Sequence, residues 1–594
     1  MKRTVFLMML CLCLILGTCL STALAADVIE ISIKDQLMAL VSDIAADTNK
    51  YQGKIVRLKN DIDLGGATWT PIAEFKGEFD GNGKTIKNFT INAGDSQAGF
   101  FTLLSSSANV HDLTLQDVTA NVAKGRFGAL AYKASGCTLT NNHVKNVTVT
   151  VTNASAWAGG MFGMLSSSAS NCSVENLKIT AANGTMFTGG FAGIIDGYRN
   201  IENCSVKKFV LNVQNGQQPI GGFVGQTQIN SAYGTFKNCH VSGIDFTVGG
   251  SSGSLGVGGF VGVPGAYATI ENCTSEGKID ASGMTSDAVG GFVGNLGWGT
   301  TSSSNPFRMY TMNNCSADVD IVSGGALAGG FIASSHTQDG TKQGVFNNCK
   351  ATGNVTNANG VAGGFAGDAD RGDFTNCSAS GAVSGKTAGG FIGQVNDWKP
   401  SYNSGCNAED FNEKLNHDAN QISINGCEAK GTVTGTEKVG GLVGNVGASK
   451  NGTAAEGADG KLIIKNSTTA PTIVGGTKNT TMDKNLNKTS NSKPTEISGL
   501  KGSQKQITPN KNGQQLTTDA NGNVIVPAGG ATVTNGNNTS TLPAGTVIQP
   551  NGNIILPGAS LPKTGVDSAD KLIPLALLSL LGMAVLITMR RREA

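Results

Sequence analysis

Short hydrophobic runs alternate with polar residues through the middle of the chain, and glycine or asparagine bounds most of them. Between Val257 and Ile279 the order is Gly-Gly-Phe-Val-Gly, a short polar run, then Asn-Cys and a second alternating run. Alternation with a period of two is typical of β-strands, and each glycine costs about 1 kcal/mol in a helix. The pattern therefore predicts strands joined by tight turns.

This unit recurs at intervals of roughly 30 to 50 residues, a period that is typical of stacked supersecondary repeats. A Gly-Gly pair followed by an apolar residue begins at Gly159, Gly189, Gly221, Gly258, Gly290, Gly329, Gly363, Gly389 and Gly440. A cysteine preceded by asparagine or glycine returns at Cys137, Cys172, Cys204, Cys239, Cys273, Cys315, Cys349, Cys377 and Cys427. We interpret each repeat as one coil of a β-solenoid, in which equivalent residues stack along the axis.

The residue before each cysteine predicts the turn. It is asparagine except at Gly136 and Gly426, and both residue types reach the left-handed backbone conformation easily. We therefore expect a fixed turn with stacked asparagine side chains. The phenylalanines of the Gly-Gly-Phe units should form an internal stack beside the cysteines: Phe191, Phe223, Phe260, Phe292, Phe331, Phe365 and Phe391.

The Gly-Gly-Phe-Val-Gly core, which becomes Gly-Gly-Leu-Val-Gly at Gly440, resembles the GLUG-motif repeats of bacterial surface proteins. The stretch from Trp69 to Ile91 is similar to the opening coil that often precedes such repeats. The resemblance covers roughly residues 30 to 475. It implies an all-β fold, a right-handed parallel β-helix (β-solenoid) of the pectin-lyase-like type, and by itself it implies no enzymatic activity.

The hydrophobic pattern on either side of the repeats predicts the remaining organisation. Helical spacing between Ile31 and Ala46 predicts a short capping helix with apolar residues at Ile33, Leu37, Leu40, Val41 and Ile44. The predicted N-terminal cap and first coil occupy residues 26–92, and the solenoid occupies residues 93–474. Residues 475–560 predict a linker and a β-rich C-terminal stalk, which is either folded or disordered.

Both ends of the chain carry targeting signals. Residues 1–25 have the charged start, apolar run and small-residue site of a cleaved export signal. Near the other end, an apolar run at 572–589 is long enough for a single transmembrane helix, and a basic tail follows at 590–594. The five residues at 561–565 precede this run: Leu561, Pro562, Lys563, Thr564 and Gly565.

This order of motif, apolar run and basic tail resembles the LPxTG cell-wall sorting signal of Gram-positive bacteria. The resemblance implies that a sortase cuts after Thr564 and joins its carboxyl group to peptidoglycan. The protein would then be secreted and covalently attached to the cell wall, and it would span the membrane only before sorting.

Composition excludes several function classes. The chain has 594 residues, of which 83 are glycine, only 14% charged residues and a formal net charge of +2. This balance is untypical of a globular enzyme and lacks the basic stripe that nucleic acid needs. No C-x-x-C pair supports a zinc site, and we predict no cofactor. The stacked cysteines could form disulfides; we favour a reduced, buried ladder, because buried cysteine behaves as a small hydrophobe.

Candidate catalytic chemistry is sparse. GLUG repeats also occur in immunoglobulin-A-cleaving metallopeptidases, but the five histidines include no H-E-x-x-H motif. The densest carboxylate group, Asp368, Asp370 and Asp373, lacks the combinations typical of polygalacturonases and could instead bind a cation. Arg371, Gly372 and Asp373 form an R-G-D tripeptide like those that integrins bind, although aspartate and glycine also serve turns. We therefore predict no enzyme activity.

Aromatic residues between a Gly-Gly strand and the next cysteine predict a binding edge: Tyr198, Tyr233, Tyr267, Trp298, Tyr310, Trp398 and Tyr402. Aligned rings would suit a host glycan or protein ligand, unless they pack over the solenoid's own turns. The long connection from Trp398 to Gln421 is either a binding loop or a cover for the last coils. We predict an adhesin or surface-interaction module; the alternatives are a passive structural spacer and a carbohydrate-active β-helix enzyme.

Overall fold

The structure is a computed structural model of the chain. It describes residues 27–152, 157–182, 187–197, 199–216, 219–228, 234–250, 256–265, 268–296, 308–335, 342–369, 372–396, 421–448, 461–469, 471–474, 482–483, 486–488, 495–498, 505–510, 514, 516–519, 523–535, 538–549 and 554–557. Within these residues the regular structure consists of β-strands and a single helix.

One coil shows how the repeat folds. A turn joins the strand Ala268–Glu271 to the long strand Thr274–Met284, which the short strand Ala288–Gly290 follows. A second turn leads into the strand Val293–Asn295, after which the chain returns to the next coil. We assign the first strand to sheet I, the next two to sheet II and the last to sheet III; each pairs in parallel with its equivalent in the following coil. The predicted all-β parallel solenoid is confirmed.

The strands fall into three large sheets and one small one. Sheet I comprises Val28–Ile31, Ile55–Leu58, Glu78–Asp80, Asn109–His111, Thr138–Thr140, Ala169–Ser170, Asn200–Glu202, Gly234–Lys237, Ala268–Glu271, Arg308–Asn313, Lys342–Asn347, Gly372–Thr375, Gln421–Asn425, Lys461–Lys465 and Thr495–Ser498. Sheet II comprises Ile62–Thr68, Thr85–Gly94, Gln97–Ala98, Thr114–Val122, Arg126–Gly128, His143–Val151, Trp157–Gly159, Ser173–Ala181, Thr188–Gly189, Ser205–Val213, Ile220–Gly221, His240–Gly250, Gly256–Gly258, Thr274–Met284, Ala288–Gly290, Ser316–Ser323, Leu327–Gly329, Lys350–Ala351, Val355–Gly363, Ser378–Ala379, Val383–Gly389, Glu428–Ala429, Thr432–Gly440, Thr468–Thr469, Thr472–Val474, Lys505–Pro509, Ala531–Asn535 and Asn538–Leu542. Sheet III comprises Ile72–Phe75, Phe101–Leu104, Ala131–Ser135, Phe162–Ser166, Ala192–Asp196, Val224–Gln228, Val261–Val263, Val293–Asn295, Ile332–Ser334, Ala366–Ala369, Ile392–Asn396, Val443–Ala448, Met482–Asp483 and Leu486–Lys488. The small sheet comprises Thr517–Thr518, Val524–Ile525, Val547–Ile548 and Ile554–Ile555.

A helix covers the first coil, as predicted. Helix α1 (Lys34–Ala46) packs against the strands Ile62–Thr68 and Ile72–Phe75, and its buried residues are Leu37, Leu40, Val41 and Ile44. The prediction that Ile33 belongs to the apolar residues of this helix is wrong. Ile33 precedes the helix with an extended backbone, and its side chain is 55% exposed. The Gln36 side chain accepts hydrogen bonds from the backbone amides of Ser32 and Ile33, which fixes the helix start.

The asparagine turns form as predicted. Asn272 has φ = 52°, and the asparagines at the equivalent places share this left-handed conformation. Side-chain amides link successive turns: Asn272 Nδ2 donates to Asn238 Oδ1 at 3.2 Å, and Asn314 Nδ2 donates to Asn272 Oδ1 at 3.2 Å. The turns are therefore stacked along the solenoid.

The cysteine ladder differs from the prediction at one place. Cys137 precedes the sheet I strand Thr138–Thr140 instead of following it, and the register places Asn142 where later coils have cysteine. Gly136 is left-handed, with φ = 69°, so the same dipeptide signal marks a different corner of this coil. The ladder comprises Cys172, Cys204, Cys239, Cys273, Cys315, Cys349, Cys377 and Cys427.

The predicted phenylalanine stack is confirmed. Phe292 is fully buried, and its ring lies 4.7 Å from that of Phe260 and 4.8 Å from that of Phe331. Rings further along the stack keep this spacing, and their planes are nearly parallel. A second short stack, Phe346 on Phe374 at 5.0 Å, meets the first edge-on. These contacts fill the core beneath sheets I and III.

The Gly-Gly pairs have a steric cause. A Cβ atom on Gly290 would clash with the carbonyl oxygen of Val293, and one on Gly291 would clash with that of Gly330. The chain turns so sharply at this corner that successive coils touch through backbone. Glycine recurs there because no side chain fits.

The solenoid continues beyond the predicted boundary at 474. Parallel pairing joins Val443 to Leu486, Leu462 to Thr495 and Thr472 to Lys505. Lys505–Pro509 then pairs in antiparallel fashion with Ala531–Asn535, and Val474 shares a buried cluster with residues of this segment. The described part of the predicted linker and stalk is therefore folded, and it covers the last coil.

The predicted export signal (1–25), sorting motif (561–565), transmembrane run (572–589) and basic tail (590–594) lie outside the described residues. Within the described part of the chain, no helix is long and apolar enough to cross a membrane.

Replacing Phe292 with alanine tests the internal stack. The ring is fully buried between two others, so its loss should lower the free energy of unfolding by about 3–5 kcal/mol. Because coils contact only their neighbours, hydrogen exchange should speed up most in the adjacent coils. Denaturant titration and hydrogen-exchange mass spectrometry measure the two effects.

The matched control is Val322→Ala, which shortens an apolar side chain that is 46% exposed on sheet II. We expect it to change the free energy of unfolding by no more than about 0.5 kcal/mol. An equal change of exchange rate in all coils of Phe292→Ala would contradict the nearest-neighbour stack.

Candidate functional site

The segments that link sheet III to sheet I lie on one edge of the solenoid, because both sheets are continuous parallel ladders. We call the row of these segments the connection edge. Their lengths differ greatly: only residues 370–371 separate Ala369 from Gly372, whereas residues 397–420 separate Asn396 from Gln421. The coils therefore differ most in length in this row of segments.

Most of the predicted aromatic residues belong to the connection edge by their position in the chain, but their side chains lie outside the described residues: Tyr198, Tyr233, Tyr267, Trp298, Trp398 and Tyr402. The prediction that Tyr310 belongs to this edge is wrong. It lies in the strand Arg308–Asn313 and is fully buried. Its alternation with the buried Met312 is the sequence signal that places its ring in the core rather than on an exposed edge.

Two of the three residues of the R-G-D tripeptide lie in a strand and not in a turn. Gly372 and Asp373 belong to the strand Gly372–Thr375, where Gly372 is buried and Asp373 is half-buried. Asp373 pairs with Val345 on one side and Ser423 on the other. Arg371 lies outside the described residues.

The predicted carboxylate group is also divided. Asp368 is buried in a sheet III strand, Asp373 lies in sheet I, and Asp370 is outside the described residues. Among the described residues, the grouping whose side chains could jointly hold a metal ion is a different one: Asp80, His111 and Asp112.

The cysteines are structural. All ladder members are buried, as predicted, and their thiols are free. The Cys273 thiol donates to the carbonyl oxygens of Glu271 at 3.2 Å and Phe236 at 3.7 Å. Burial raises the pKa of the Cys273 and Cys377 thiols, which suppresses the thiolate that nucleophilic or metal chemistry needs.

A charged cluster forms where three sheet I strands stack. The register aligns Arg57 with Asp80, and Asp80 with His111. Arg57 Nε lies 2.6 Å from Asp80 Oδ2, and His111 Nδ1 lies 3.8 Å from Asp80 Oδ1. On the far side of the ring, His111 Nε2 lies 3.4 Å from Glu78 Oε1. The imidazole is therefore held between two carboxylates of the preceding coil.

The turn that follows each strand completes the cluster. Asp112 is left-handed, with φ = 54°, and its Oδ2 lies 2.8 Å from His111 Nδ1. The backbone amide of Asn82 donates to Asp80 Oδ1 at 2.7 Å, and the side-chain Nδ2 of Asn141 donates to Asp112 Oδ1. The sequence analysis missed this cluster, because its residues belong to different coils and meet only when those coils stack. The signal is that Asp80 and His111 each stand just before a left-handed turn.

The electrostatics of the cluster follow from these contacts. Burial alone lowers the pKa of His111, but hydrogen bonds to Asp112 and Glu78 and the charge of Asp80 outweigh it, so the pKa is raised. Hydrogen bonds from Asn141 and His111 lower the pKa of Asp112. The protonated ring and the ionised carboxyl therefore stabilise one another.

A polar groove of about 610 Å³ lies on the outer face of sheet II in the first coils. Two carboxylates and two carboxamides alternate along it. Asn88 Nδ2 donates to Asp63 at 2.9 Å, and Asn146 Nδ2 donates to Asp117 Oδ1 at 2.8 Å. The sequence analysis missed this groove, although Asp117 and Asn146 recur with the coil.

Comparisons with known proteins support the repeat. Residues 253–280 match the family model of the GLUG motif, so the chain carries this motif, as its residues indicated. Among solved structures, the chain is similar to a "putative immunoglobulin A1 protease" from Bacteroides ovatus, with 18% identity over 54% of this chain and 74% of that one, and a TM-score of 0.27. A likeness this weak carries no argument about function. No curated protein matches the chain significantly.

The His111 cluster predicts a pH dependence. Because the pKa of His111 is raised, its stabilising charge is fully present below the ordinary value of about 6.5 and is lost as pH rises through the folded value. His111→Gln should therefore lower the free energy of unfolding more at pH 6 than at pH 8, by about 0.2–1 kcal/mol. Denaturant titrations at the two pH values, in buffer free of divalent metals, measure the difference.

His240 supplies the control, since its ring contacts only the Thr274 hydroxyl among the described polar partners, at 2.9 Å. His240→Gln should not reproduce the difference between the two pH values, because no described carboxylate forms an ion pair with the His240 ring. An identical loss at pH 6 and pH 8 for His111→Gln would disprove the ion-pair interpretation.

Proposed function

We propose that this protein is an exported adhesin, anchored to the Gram-positive cell wall through residues 561–565, that binds a host glycan or protein ligand along its connection edge. The observation that best supports this proposal is that coils differ most in length in the segments of this edge. Recognition tends to reside in long loops on rigid scaffolds. The scaffold here has a continuous buried core, and both of its ends are covered.

The connection at 397–420 is the strongest part of this edge as a binding element. It contains Trp398, Tyr402, Phe411 and His417, and aromatic side chains offer a large contact area with polar groups. The next connection, 449–460, contains no aromatic residue. The two connections thus form a natural experimental pair on neighbouring coils.

Deleting residues 399–420 tests the binding function. The deletion should abolish binding on glycan and host-protein arrays while the melting temperature stays unchanged, because the coil register does not depend on the inserted residues. Array binding and a thermal melt are the two measurements.

Deletion of residues 450–459 is the matched control and should preserve both binding and melting temperature. A loss of melting temperature with binding retained in the 399–420 deletion would identify a cover for the last coils instead. If the intact solenoid binds nothing on either array, the passive-spacer alternative is favoured.

The anchoring part of the proposal has its own test. Thr564→Ala removes the residue whose carboxyl a sortase would join to peptidoglycan, so the protein should move from the wall fraction to the membrane or the medium. Lys563→Ala changes the variable position of the motif and should leave the protein in the wall. Immunoblots of the cell fractions decide, and wall linkage of the Thr564 variant would refute sorting at this motif.

A further inference from the structure

We propose that Asp80, His111 and Asp112 form a binding site for one first-row divalent cation, of the Zn²⁺ class, that bridges two successive coils near the helix-covered end. The site is distinct from the connection edge, and nothing in the proposed adhesin function requires it.

The three ligand atoms are already near the required geometry. His111 Nδ1 lies 2.8 Å from Asp112 Oδ2 and 3.8 Å from Asp80 Oδ1, and all three atoms lie within 4.8 Å of one another. A Zn²⁺ ion about 2.1 Å from each ligand needs ligand separations of about 3.4 Å in a tetrahedron. Side-chain shifts of about an ångström therefore suffice, and a water molecule would complete the coordination.

The ligands are also held in place. Asp80 Oδ2 accepts from Arg57, and Asp112 Oδ1 accepts from Asn141. Asp80 Oδ1, which is also held by the Asn82 backbone amide, and Asp112 Oδ2 are the oxygens that face His111 Nδ1. The surrounding pattern is that of metal sites whose carboxylates are oriented by neighbouring donors. Access from solvent is open, since the Asp112 side chain is 40% exposed.

Charge and proton balance favour a divalent ion. Three carboxylates, those of Glu78, Asp80 and Asp112, face one guanidinium, that of Arg57. This excess of two negative charges matches the ion's charge when the imidazole is neutral. The ion takes the lone pair of Nδ1, and an imidazolium loses that proton to solvent. The remaining proton stays on Nε2, opposite Glu78 Oε1 at 3.4 Å, so that Glu78 orients the ring.

A bound ion would join two neighbouring strands of sheet I. Asp80 ends the strand Glu78–Asp80 and His111 ends its parallel neighbour Asn109–His111. Cross-linking them should raise the melting temperature, because the ion binds the folded chain and not the unfolded one. This readout does not depend on any ligand-binding activity.

Isothermal titration of the full chain with ZnCl₂ tests the site. The parent should bind about one ion saturably and melt at a higher temperature with zinc. His111→Gln should weaken binding at least tenfold and abolish the shift, and Asp112→Asn should weaken binding as well. His240→Gln removes an exposed histidine of sheet II and should behave like the parent.

Cobalt distinguishes this site from the cysteines. Co²⁺ bound by nitrogen and oxygen ligands gives visible bands without the intense near-ultraviolet band of a thiolate, and these bands should vanish in His111→Gln. Absence of saturable zinc binding, a thiolate band, or unchanged binding by His111→Gln would each overturn the proposal. If circular dichroism shows that His111→Gln is unfolded, Asp112→Asn decides, since its partly exposed side chain tolerates an isosteric change.

Discussion

The spacing of hydrogen-bonded strands is the constraint on which this molecule depends. Neighbouring strands lie about 4.8 Å apart, and aromatic rings stack favourably at nearly that separation. The phenylalanine rings, 4.7 to 5.0 Å apart, satisfy both distances at once. A residue that recurs in each coil therefore packs on its own copies without distorting the backbone. The cysteine and asparagine ladders obey the same rule.

This constraint also decides where coils can differ. Inside a coil, each position contacts the coils on both sides, so an insertion there would break two interfaces. The greatest differences in chain length between coils fall between a sheet III strand and the next sheet I strand. Helix α1 and the strands after Val474 cover the ends, where backbone groups would otherwise be unpaired. The sides and edges of the solenoid are therefore the surfaces left for recognition.

Stacking assembles polar clusters from residues that are ordinary in isolation. Arg57, Asp80 and His111 hold equivalent places in consecutive sheet I strands, and this alone brings their charges together. The groove on sheet II arises in the same way from Asn88, Asp117 and Asn146, whose left-handed backbones recur in successive coils. In a solenoid, chemistry depends on which residues occupy the same place in neighbouring coils.

Local residue types were enough to predict the strands, the left-handed turns before the cysteines and the buried phenylalanine stack. Each depends on a short-range property; asparagine, for example, readily adopts the left-handed turn at Asn272. The Gly-Gly units were interpreted as strands, and only the structure shows that a corner follows Gly290. Register was not predictable in this way, because backbone pairing needs no particular side chain. Thus Cys137 lies at another corner of its coil. The solenoid also continues past residue 474, through strands that lack the repeat motif. The contact between Asp80 and His111 has the same origin: it exists only because the coils stack in this register.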